Sequence, residues 1–167
     1  ITALEPTPER LRQLKENLVR TTETGRVVVH NETLERFSRS CMTRFDRILV
    51  DAPCSGTGVA GRHPDIRWNR DEKDIRGFGK RQLSLLSLAA QLLMPGGILV
   101  YSTCSIEKEE NRDVVDSFLV DHPDFSLTDC SRHLPPAARS LVKENCFAPL
   151  PADGTDGFFA ARLALRS

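Results

Sequence analysis

The sequence contains no apolar run that approaches the roughly 20 residues a membrane-spanning helix needs. It also has no low-complexity segment, no internal repeat and no convincing linker. Its 40% hydrophobic and 28% charged residues are ordinary for a globular protein, and 167 residues suffice for one domain with a substantial core. These features exclude a membrane-spanning or disordered chain and predict a single globular module.

Cysteine pairs with metal-ligand spacing are absent. The five cysteines form an odd set without C-x-x-C spacing, which argues against both a disulfide framework and a zinc site. We therefore expect no metal and a reducing, cytoplasmic location. The chain also lacks an initiator Met and a signal-peptide pattern at its start. We therefore expect that it is a piece of a longer protein whose upstream part is not included.

An excess of either charge is absent too, since 23 Lys and Arg residues balance 23 Asp and Glu residues. No global field therefore indicates a nucleic-acid partner, and any such contact has to come from a local basic patch. The composition gives no indication of the oligomeric state.

Short apolar runs alternate with helical patterns along most of the chain, which is typical of an α/β fold with a parallel sheet. Six strands are predicted, near residues 1–4, 27–29, 47–50, 98–101, 125–127 and 158–165. The last strand is expected to pair antiparallel. Helices are predicted from Pro8 to a cap at Gly25, from about Lys80 to Pro95, and over 107–120. The Pro-rich residues 130–156 are predicted to form a loop over the sheet.

Two cysteines, Cys54 and Cys104, stand directly after predicted buried strands. The carboxyl ends of parallel strands line the ligand crevice of an open α/β sheet, so we expect the two thiols to meet there. At such a turn, backbone N–H groups and a following helix start can lower a thiol pKa and supply the nucleophile that an electron-poor ring carbon requires. Cys41, Cys130 and Cys146 are predicted to be small buried hydrophobic residues.

Glu5 follows the first strand and precedes a helix. Dinucleotide-type folds place an acid at this position to bind ribose hydroxyls. A carboxylate near a helix N-terminus also stabilises the helix dipole, so both interpretations stay open. The glycine-rich turn that precedes the acid in such folds is absent.

Four motifs occur together in this chain: Asp51-Ala52-Pro53-Cys54-Ser55-Gly56-Thr57-Gly58, Arg62-His63-Pro64-Asp65-Ile66-Arg67-Trp68, Pro95-Gly96-Gly97 leading to Tyr101-Ser102-Thr103-Cys104-Ser105-Ile106 with Glu109-Glu110-Asn111, and Asp156-Gly157-Phe158-Phe159. They resemble the RNA cytosine-5 methyltransferases of the NOL1/NOP2/Sun family. The sequence looks closest to the bacterial Sun (Fmu) branch, which modifies small-subunit ribosomal RNA. The resemblance spans nearly the whole chain, and the joint spacing of a Pro-Cys and a Thr-Cys motif is highly specific.

This resemblance implies S-adenosylmethionine as the cofactor and different roles for the two thiols. Cys104 would add to C6 of a cytosine and make C5 nucleophilic enough to take the methyl group. Cys54 would assist release of the methylated base after a base removes the C5 proton. Asp51 would hydrogen-bond the cytosine ring and lie close to the methionine end of the cofactor. Glu5 matches the ribose-binding acid, and Asn31 falls at the adenine-contacting position, which is usually Asp in the family.

An RNA substrate must present its cytosine unstacked, because the target carbon is inaccessible inside a stack. We predict that the loop from Arg62 to Arg81 contacts the RNA, with Arg62 and Arg67 as RNA-binding residues and Trp68 stacking on a base. The alternative for Trp68 is a packing role within its own loop. His63 is assigned to loop structure rather than to catalysis.

The resemblance also implies a Rossmann-like class I methyltransferase sheet, mostly parallel with an antiparallel C-terminal strand, in the strand order 3-2-1-4-5-7-6. The sequence starts at the second of these strands. Residues 1–167 are therefore predicted to be a partial S-adenosylmethionine-dependent catalytic domain that lacks the first strand and the cofactor glycine turn. We expect the parent protein to be active and the isolated piece to be inactive.

Two other functions stay open. A DNA cytosine-5 methyltransferase would use the Pro-Cys thiol, here Cys54, as its nucleophile and would need no Thr-Cys partner. A methyltransferase-like scaffold would bind RNA or a protein without activity, and the missing cofactor turn favours it.

Overall fold

The computed structural model describes residues 1–21 and 25–166, and the chain divides into two compact units, Ile1–Met42 and Thr43–Ser167. The first unit is a strand–helix–strand element followed by a short helix. Its elements are β1 (Thr2–Leu4), α1 (Pro8–Arg20), β2 (Val28–His30) and α2 (Leu34–Ser40). The two strands pair in parallel, from Thr2 opposite Val28 to Leu4 opposite His30.

Helix α1 begins as predicted, with Thr7 at the N-cap and Pro8 at the first helical position. Its predicted C-terminal cap at Gly25 is wrong, because the helix ends at Arg20 and Thr21 is the cap. The Thr21 backbone N–H and hydroxyl both donate to the Asn17 carbonyl oxygen at 2.9 Å. This pairing satisfies a terminal carbonyl group without a glycine.

The described residues of the second unit, 43–166, form two longer helices and six strands. In chain order they are β3 (Phe45–Asp51), α3 (Glu72–Gln91), β4 (Leu93–Thr103), α4 (Arg112–Asp121), β5 (Phe125–Thr128), β6 (Val142–Lys143), β7 (Cys146–Phe147) and β8 (Phe159–Leu165). Short 3₁₀ turns occupy Thr57–Val59, Pro64–Arg67, Lys108–Glu110, Cys130–His133, Pro136–Leu141 and Pro151–Asp153.

The strand pairing confirms the predicted α/β class and the antiparallel C-terminal strand. β3 and β4 run in parallel, whereas β8 pairs antiparallel with β4 along one edge and with β5 and β7 along the other. The predicted order places strands three and two together and strands four, five, seven and six together. The sequence starts at the second strand of that order, so β1 to β5 correspond to predicted strands two to six, and β8 corresponds to strand seven. The observed pairings, β2 with β1 and β3–β4–β8–β5, therefore match those two groups of neighbours.

Several predictions about the second unit are wrong. The helix predicted from about Lys80 to Pro95 ends at Gln91, and the helix predicted over 107–120 begins at Arg112. The strand before Cys54, predicted to be buried, has Leu49 67% exposed. Helix α3 begins at Glu72 rather than near Lys80, because Asp71 and Asp74 form a reciprocal capping box at its start. The predicted loop over 130–156 also holds the β6–β7 hairpin, whose turn residues Glu144 and Asn145 have φ values of 48° and 68°. Two successive positive φ values are the signature of a tight hairpin turn.

The core of the second unit lies around β4, where Leu99 and Tyr101 are fully buried. Fully buried apolar residues on the neighbouring elements are Leu86 and Ala89 of α3, Val115 and Phe118 of α4, and Ala161 and Leu163 of β8. α3 contacts α4, β3 and β4. A strand buried from both directions fixes the position of the residues that follow it.

None of the helices in the described residues combines the length and hydropathy that a bilayer crossing requires.

Candidate active site

The two cysteines predicted to meet do so at the carboxyl ends of β3 and β4. These strands pair in parallel up to Asp51 opposite Ser102, and the Ala52 N–H continues the ladder to the Ser102 carbonyl oxygen at 2.9 Å. The chains then turn away, and the sulfur atoms of Cys54 and Cys104 lie 3.0 Å apart in a half-buried position. This distance is short enough for a hydrogen bond between a thiol and a thiolate.

The two thiols have opposite pKa shifts. The hydrogen bond from Cys54 is the largest influence on Cys104 and lowers its pKa to about 7, against the opposing effects of burial and of the Asp51 and Glu110 charges. The same hydrogen bond, together with burial, raises the pKa of Cys54. These shifts favour Cys104 as the thiolate and Cys54 as the proton donor, while the 3.0 Å geometry itself allows either sulfur to donate.

Alkylation of Cys104 is expected to follow an ionisation near pH 7, and Cys54→Ala is expected to move that midpoint upward, because it removes the largest cause of the low pKa. The rate of reaction with iodoacetamide measures this at each pH. Cys54 and Cys104 fall in different tryptic peptides, residues 48–62 and 82–108, so mass spectrometry separates the two reactions. An unchanged midpoint in Cys54→Ala would show that the sulfur pair does not set the pKa.

Asp51 lies at the last position of β3 and is exposed. Its Oδ1 atom accepts a hydrogen bond from the Ser102 hydroxyl at 3.0 Å. Its negative charge acts to raise the pKa of Cys104, which places the carboxylate within electrostatic reach of the thiolate. The structure therefore brings Asp51, Cys54 and Cys104 together, as the sequence predicts.

Glu5 and Asn31 meet at the ends of β1 and β2 in the first unit. The Asn31 side-chain amide donates to the carbonyl oxygens of Glu5 at 2.9 Å and Pro6 at 3.2 Å. Glu5 Oε1 accepts the backbone N–H of Thr7, the N-cap residue of α1, at 2.8 Å. Glu5 therefore contacts the start of α1, which is consistent with the helix-stabilising interpretation, while its contact with ribose and the contact of Asn31 with adenine stay predictions.

The segment predicted to bind RNA is partly helical, because residues 72–81 belong to α3. Arg62 forms an ion pair with Asp156, and the side chain of Arg67 lies outside the described part of the structure. Trp68 has 88% of its surface exposed. Its predicted alternative role as a packing anchor is therefore wrong, and RNA contact by this segment stays a prediction.

The other three cysteines only partly follow the sequence prediction. Cys130 and Cys146 are buried, with 8% and 2% of their surfaces exposed, as expected for small hydrophobic residues. Cys41 is half-buried and follows the last residue of α2, so its predicted burial is wrong. Among the described residues, no group of three or more His, Cys, Asp or Glu side chains is arranged to hold a metal.

Sequence reasoning missed the residues that hold the two cysteine loops together. The carboxylate of Glu110 is fully buried and accepts hydrogen bonds from Ser55 and Ser105, each of which directly follows one of the two cysteines. Gln82 donates to the same carboxylate, and Arg70 donates from its Nε to the Ser55 carbonyl oxygen at 3.2 Å. The sequence signal that could have identified Glu110 was the Glu109-Glu110-Asn111 motif. It follows the Thr-Cys strand and consists only of polar residues, so packing in a core does not explain it.

Two glycines bring a third segment into the site. The Gly58 N–H donates to the Cys104 carbonyl oxygen at 3.0 Å, and the Gly157 N–H donates to the Gly58 carbonyl oxygen at 2.8 Å. The Pro-Cys loop, the Thr-Cys loop and the residues before β8 are therefore joined by main-chain hydrogen bonds. This contact explains why the motif at Asp156-Gly157 accompanies the two cysteine motifs.

Comparison with known proteins gives a consistent family. The family model described as 16S rRNA methyltransferase RsmB/F matches residues 1–164. "Ribosomal RNA small subunit methyltransferase B" of Sodalis glossinidius is 40% identical over 163 residues, which are 98% of this chain and 36% of that protein. "Probable ribosomal RNA small subunit methyltransferase B" of Bacillus subtilis is 39% identical over 95% of this chain and 36% of its own length. The chain thus spans about a third of the length of these relatives.

Solved structures share the fold. A methyltransferase homologue from Pyrococcus horikoshii superposes with a TM-score of 0.77 at 32% identity, covering 99% of this chain and 53% of that one. NSun6 from the same organism, crystallised with SFG, superposes with a TM-score of 0.84 at 27% identity, covering 100% of this chain and 41% of that one. The class I methyltransferase fold predicted from the sequence is thereby confirmed.

Proposed function

Because the chain belongs to the 16S rRNA methyltransferase RsmB/F family, we propose that the full-length protein transfers a methyl group from S-adenosylmethionine to C5 of a cytosine in small-subunit ribosomal RNA. Residues 1–167 form part of its catalytic domain in this proposal. The observation that carries it is the 3.0 Å contact between the Cys54 and Cys104 sulfurs at the ends of β3 and β4, and the proposal assigns the thiolate to Cys104 and the proton donor to Cys54.

The chemistry follows from the difference between the two thiols. The Cys104 thiolate adds to C6 of the cytosine, and the new C–S bond moves electron density to C5. S-adenosylmethionine, when bound, supplies the methyl group that C5 takes. Removal of the C5 proton by a base then allows the C6–S bond to break and returns Cys104 as a thiolate. Cys54, which keeps its proton, assists this release.

The proposed cofactor residues have suitable chemistry. Glu5 presents a half-buried carboxylate at the end of β1, and a carboxylate accepts two hydrogen bonds from a ribose diol. Asn31 adds an amide at the end of β2, and Asp51 supplies a carboxylate beside the thiols. The NSun6 structure with SFG supports an S-adenosylmethionine-type ligand for the family. A reducing cytoplasm suits this site, because two sulfurs at this distance would be prone to oxidation elsewhere.

Neither alternative function is favoured by a specific contact. A DNA cytosine-5 methyltransferase would use Cys54 as the nucleophile, yet its pKa is raised. A binding scaffold has no need for a thiolate that is held against a thiol.

The proposal is tested by methyl transfer from radiolabelled S-adenosylmethionine to small-subunit ribosomal RNA with the full-length protein. Bisulfite sequencing then maps the modified nucleotide. Label on one cytosine that resists bisulfite conversion is the expected result. Label on a different base or on a ribose, or no label with a folded protein, would refute the proposed chemistry.

Trp68→Ala is expected to weaken RNA binding by about 5- to 150-fold, the loss of one base–aromatic stacking contact worth about 1–3 kcal/mol. It is expected to leave stability within about 0.5 kcal/mol, because Trp68 is 88% exposed. Fluorescence anisotropy with a single-stranded ribosomal RNA fragment measures the binding, and thermal melting measures the stability.

The matched control is Val120→Ala, which removes another exposed apolar side chain, 80% exposed on α4. It is expected to change neither RNA affinity nor the melting temperature. Equal RNA affinity in Trp68→Ala and the unchanged protein would remove Trp68 from the RNA contact.

A further inference from the structure

The Glu110 carboxylate accepts four hydrogen bonds in a position where none of its surface is exposed. Oε2 accepts from the Ser55 N–H and the Gln82 Nε2, both at 2.9 Å. Oε1 accepts from the Ser105 hydroxyl at 2.8 Å and from the Ser55 hydroxyl. An ionised carboxylate is an acceptor-only group with about four lone-pair positions, so it matches this set of donors.

Gln82 adds a second contact between this cluster and the Pro-Cys loop. Its Nε2 atom also donates to the Pro53 carbonyl oxygen at 2.9 Å, so Pro53 and Ser55, on either side of Cys54, are both held through one glutamine–glutamate pair. The amide orientation is fixed by chemistry, because the reversed amide would set its oxygen against two acceptors. The Gln82 Oε1 atom is buried and has no hydrogen-bond partner among the described residues. The amide orientation is therefore set by the two hydrogen bonds that Nε2 donates.

The residue after Glu110 holds the other cysteine in the same way. The Asn111 side-chain amide donates to the Ser105 carbonyl oxygen at 2.9 Å, and its Oδ1 accepts the Thr103 hydroxyl at 2.6 Å. The Tyr101 hydroxyl donates to the Glu110 carbonyl oxygen at 2.5 Å. Residues 110 and 111 thus connect the neighbours of both cysteines to one short segment.

We propose that Glu110 is a positioning residue that holds the Pro-Cys and Thr-Cys loops in the register that keeps the Cys54 and Cys104 sulfurs in hydrogen-bond contact. The proposal rests on the proposed function for its catalytic meaning. Its physical content concerns the thiol pair alone. Glu110 acts through Ser55 and Ser105, and its charge by itself opposes thiolate formation at Cys104, since it acts to raise that pKa. If Glu110 acts by positioning the loops, its removal raises the pKa of Cys104. If it acted only through its charge, its removal would lower that pKa.

Glu110→Ala is expected to slow alkylation of Cys104 at pH 7 by about tenfold. It releases both loops, so Cys104 loses the hydrogen bond from Cys54 that lowers its pKa most. Glu110→Gln is expected to alkylate at the original rate or faster. Its amide oxygen can accept from Ser55 N–H and Gln82, its amide nitrogen can donate to the two serine hydroxyls, and the opposing charge is gone. The readout is the pH midpoint of iodoacetamide reaction on the peptide of residues 82–108, with the full-length protein.

Glu109→Ala is the matched control, because Glu109 is the adjacent glutamate and is exposed. It is expected to leave the Cys104 midpoint in place. If Glu110→Ala does not fold, Ser105→Ala serves instead, since it removes the hydroxyl that joins Glu110 to the Thr-Cys loop. A smaller upward shift of the midpoint is then expected.

A folded Glu110→Ala or Ser105→Ala protein with the original midpoint would overturn the proposal, and so would a Glu110→Gln protein that shifts upward as far as Glu110→Ala. The measurement uses neither RNA nor S-adenosylmethionine. Failure of methyl transfer to ribosomal RNA would therefore refute the proposed function while leaving this result standing, and the reverse also holds.

Discussion

Cys104→Ala is expected to abolish methyl transfer to ribosomal RNA, with a loss of at least about 10⁴-fold, the scale seen when an enzyme loses its nucleophile. Cys104 is the thiolate of the pair, and no step that activates C5 can begin without the C–S bond. The rate of radiolabelled methyl transfer measures the loss. Covalent trapping with RNA that carries 5-fluorocytosine separates addition and methyl transfer from release, because fluorine cannot leave as the C5 proton does and the methylated adduct therefore persists.

Cys54→Ala is the paired variant and has a different expected outcome. It keeps the nucleophile, although with a higher pKa, and removes the thiol that assists release. A covalent protein–RNA complex is therefore expected to form and to accumulate. Loss of trapping in Cys54→Ala with retention in Cys104→Ala would reverse the roles and favour the chemistry of the DNA enzymes.

The position of the thiols was predictable because strand pattern fixes it. Short apolar runs identified β3 and β4 as strands, although only β4 is largely buried, and parallel neighbours must end at the same edge of a sheet. Residues that directly follow two such strands are therefore close to each other, regardless of the conformation of the 50 residues that separate Cys54 from Cys104. The same rule accounts for the contact between Glu5 and Asn31 at the ends of β1 and β2, which was not among the predictions. Which thiol ionises was not predictable from this rule and came only from the family resemblance.

The supporting side chains were beyond sequence reasoning for a physical reason. Gln82 lies within α3 and Glu110 follows a strand by several residues, so their meeting depends on how the helix packs against the strand ends. Nothing in a local pattern reports that packing. The start of α3 is different, because the capping box of Asp71 and Asp74 is a local spacing that the sequence itself contains. The exposure of Trp68 depends on the path of its loop, which no periodic pattern constrains.

Gly58→Ala is expected to destabilise the protein by about 3 kcal/mol and to lower its melting midpoint by about 10 °C. A Cβ atom at this position would lie 2.7 Å from the Gly157 carbonyl carbon and 2.8 Å from the Cys104 carbonyl oxygen. Both neighbours are backbone atoms of hydrogen-bonded segments, so neither can rotate away as a side chain would. The strain has to be relieved by separating the three segments that form the site.

Gly61→Ala, three residues further along the same loop, isolates that effect from the general cost of replacing a glycine. A Cβ atom at Gly61 would meet nothing within 4 Å, so a change within about 0.5 kcal/mol is expected. Chemical unfolding of the two variants gives the comparison. Because the Gly58 N–H bonds the Cys104 carbonyl oxygen, Gly58→Ala should also raise the midpoint of Cys104 alkylation. Equal stability of the two variants would mean that the backbones of the two cysteine loops and the Gly157 segment are not in contact, and the shared position of the thiols would then need another cause.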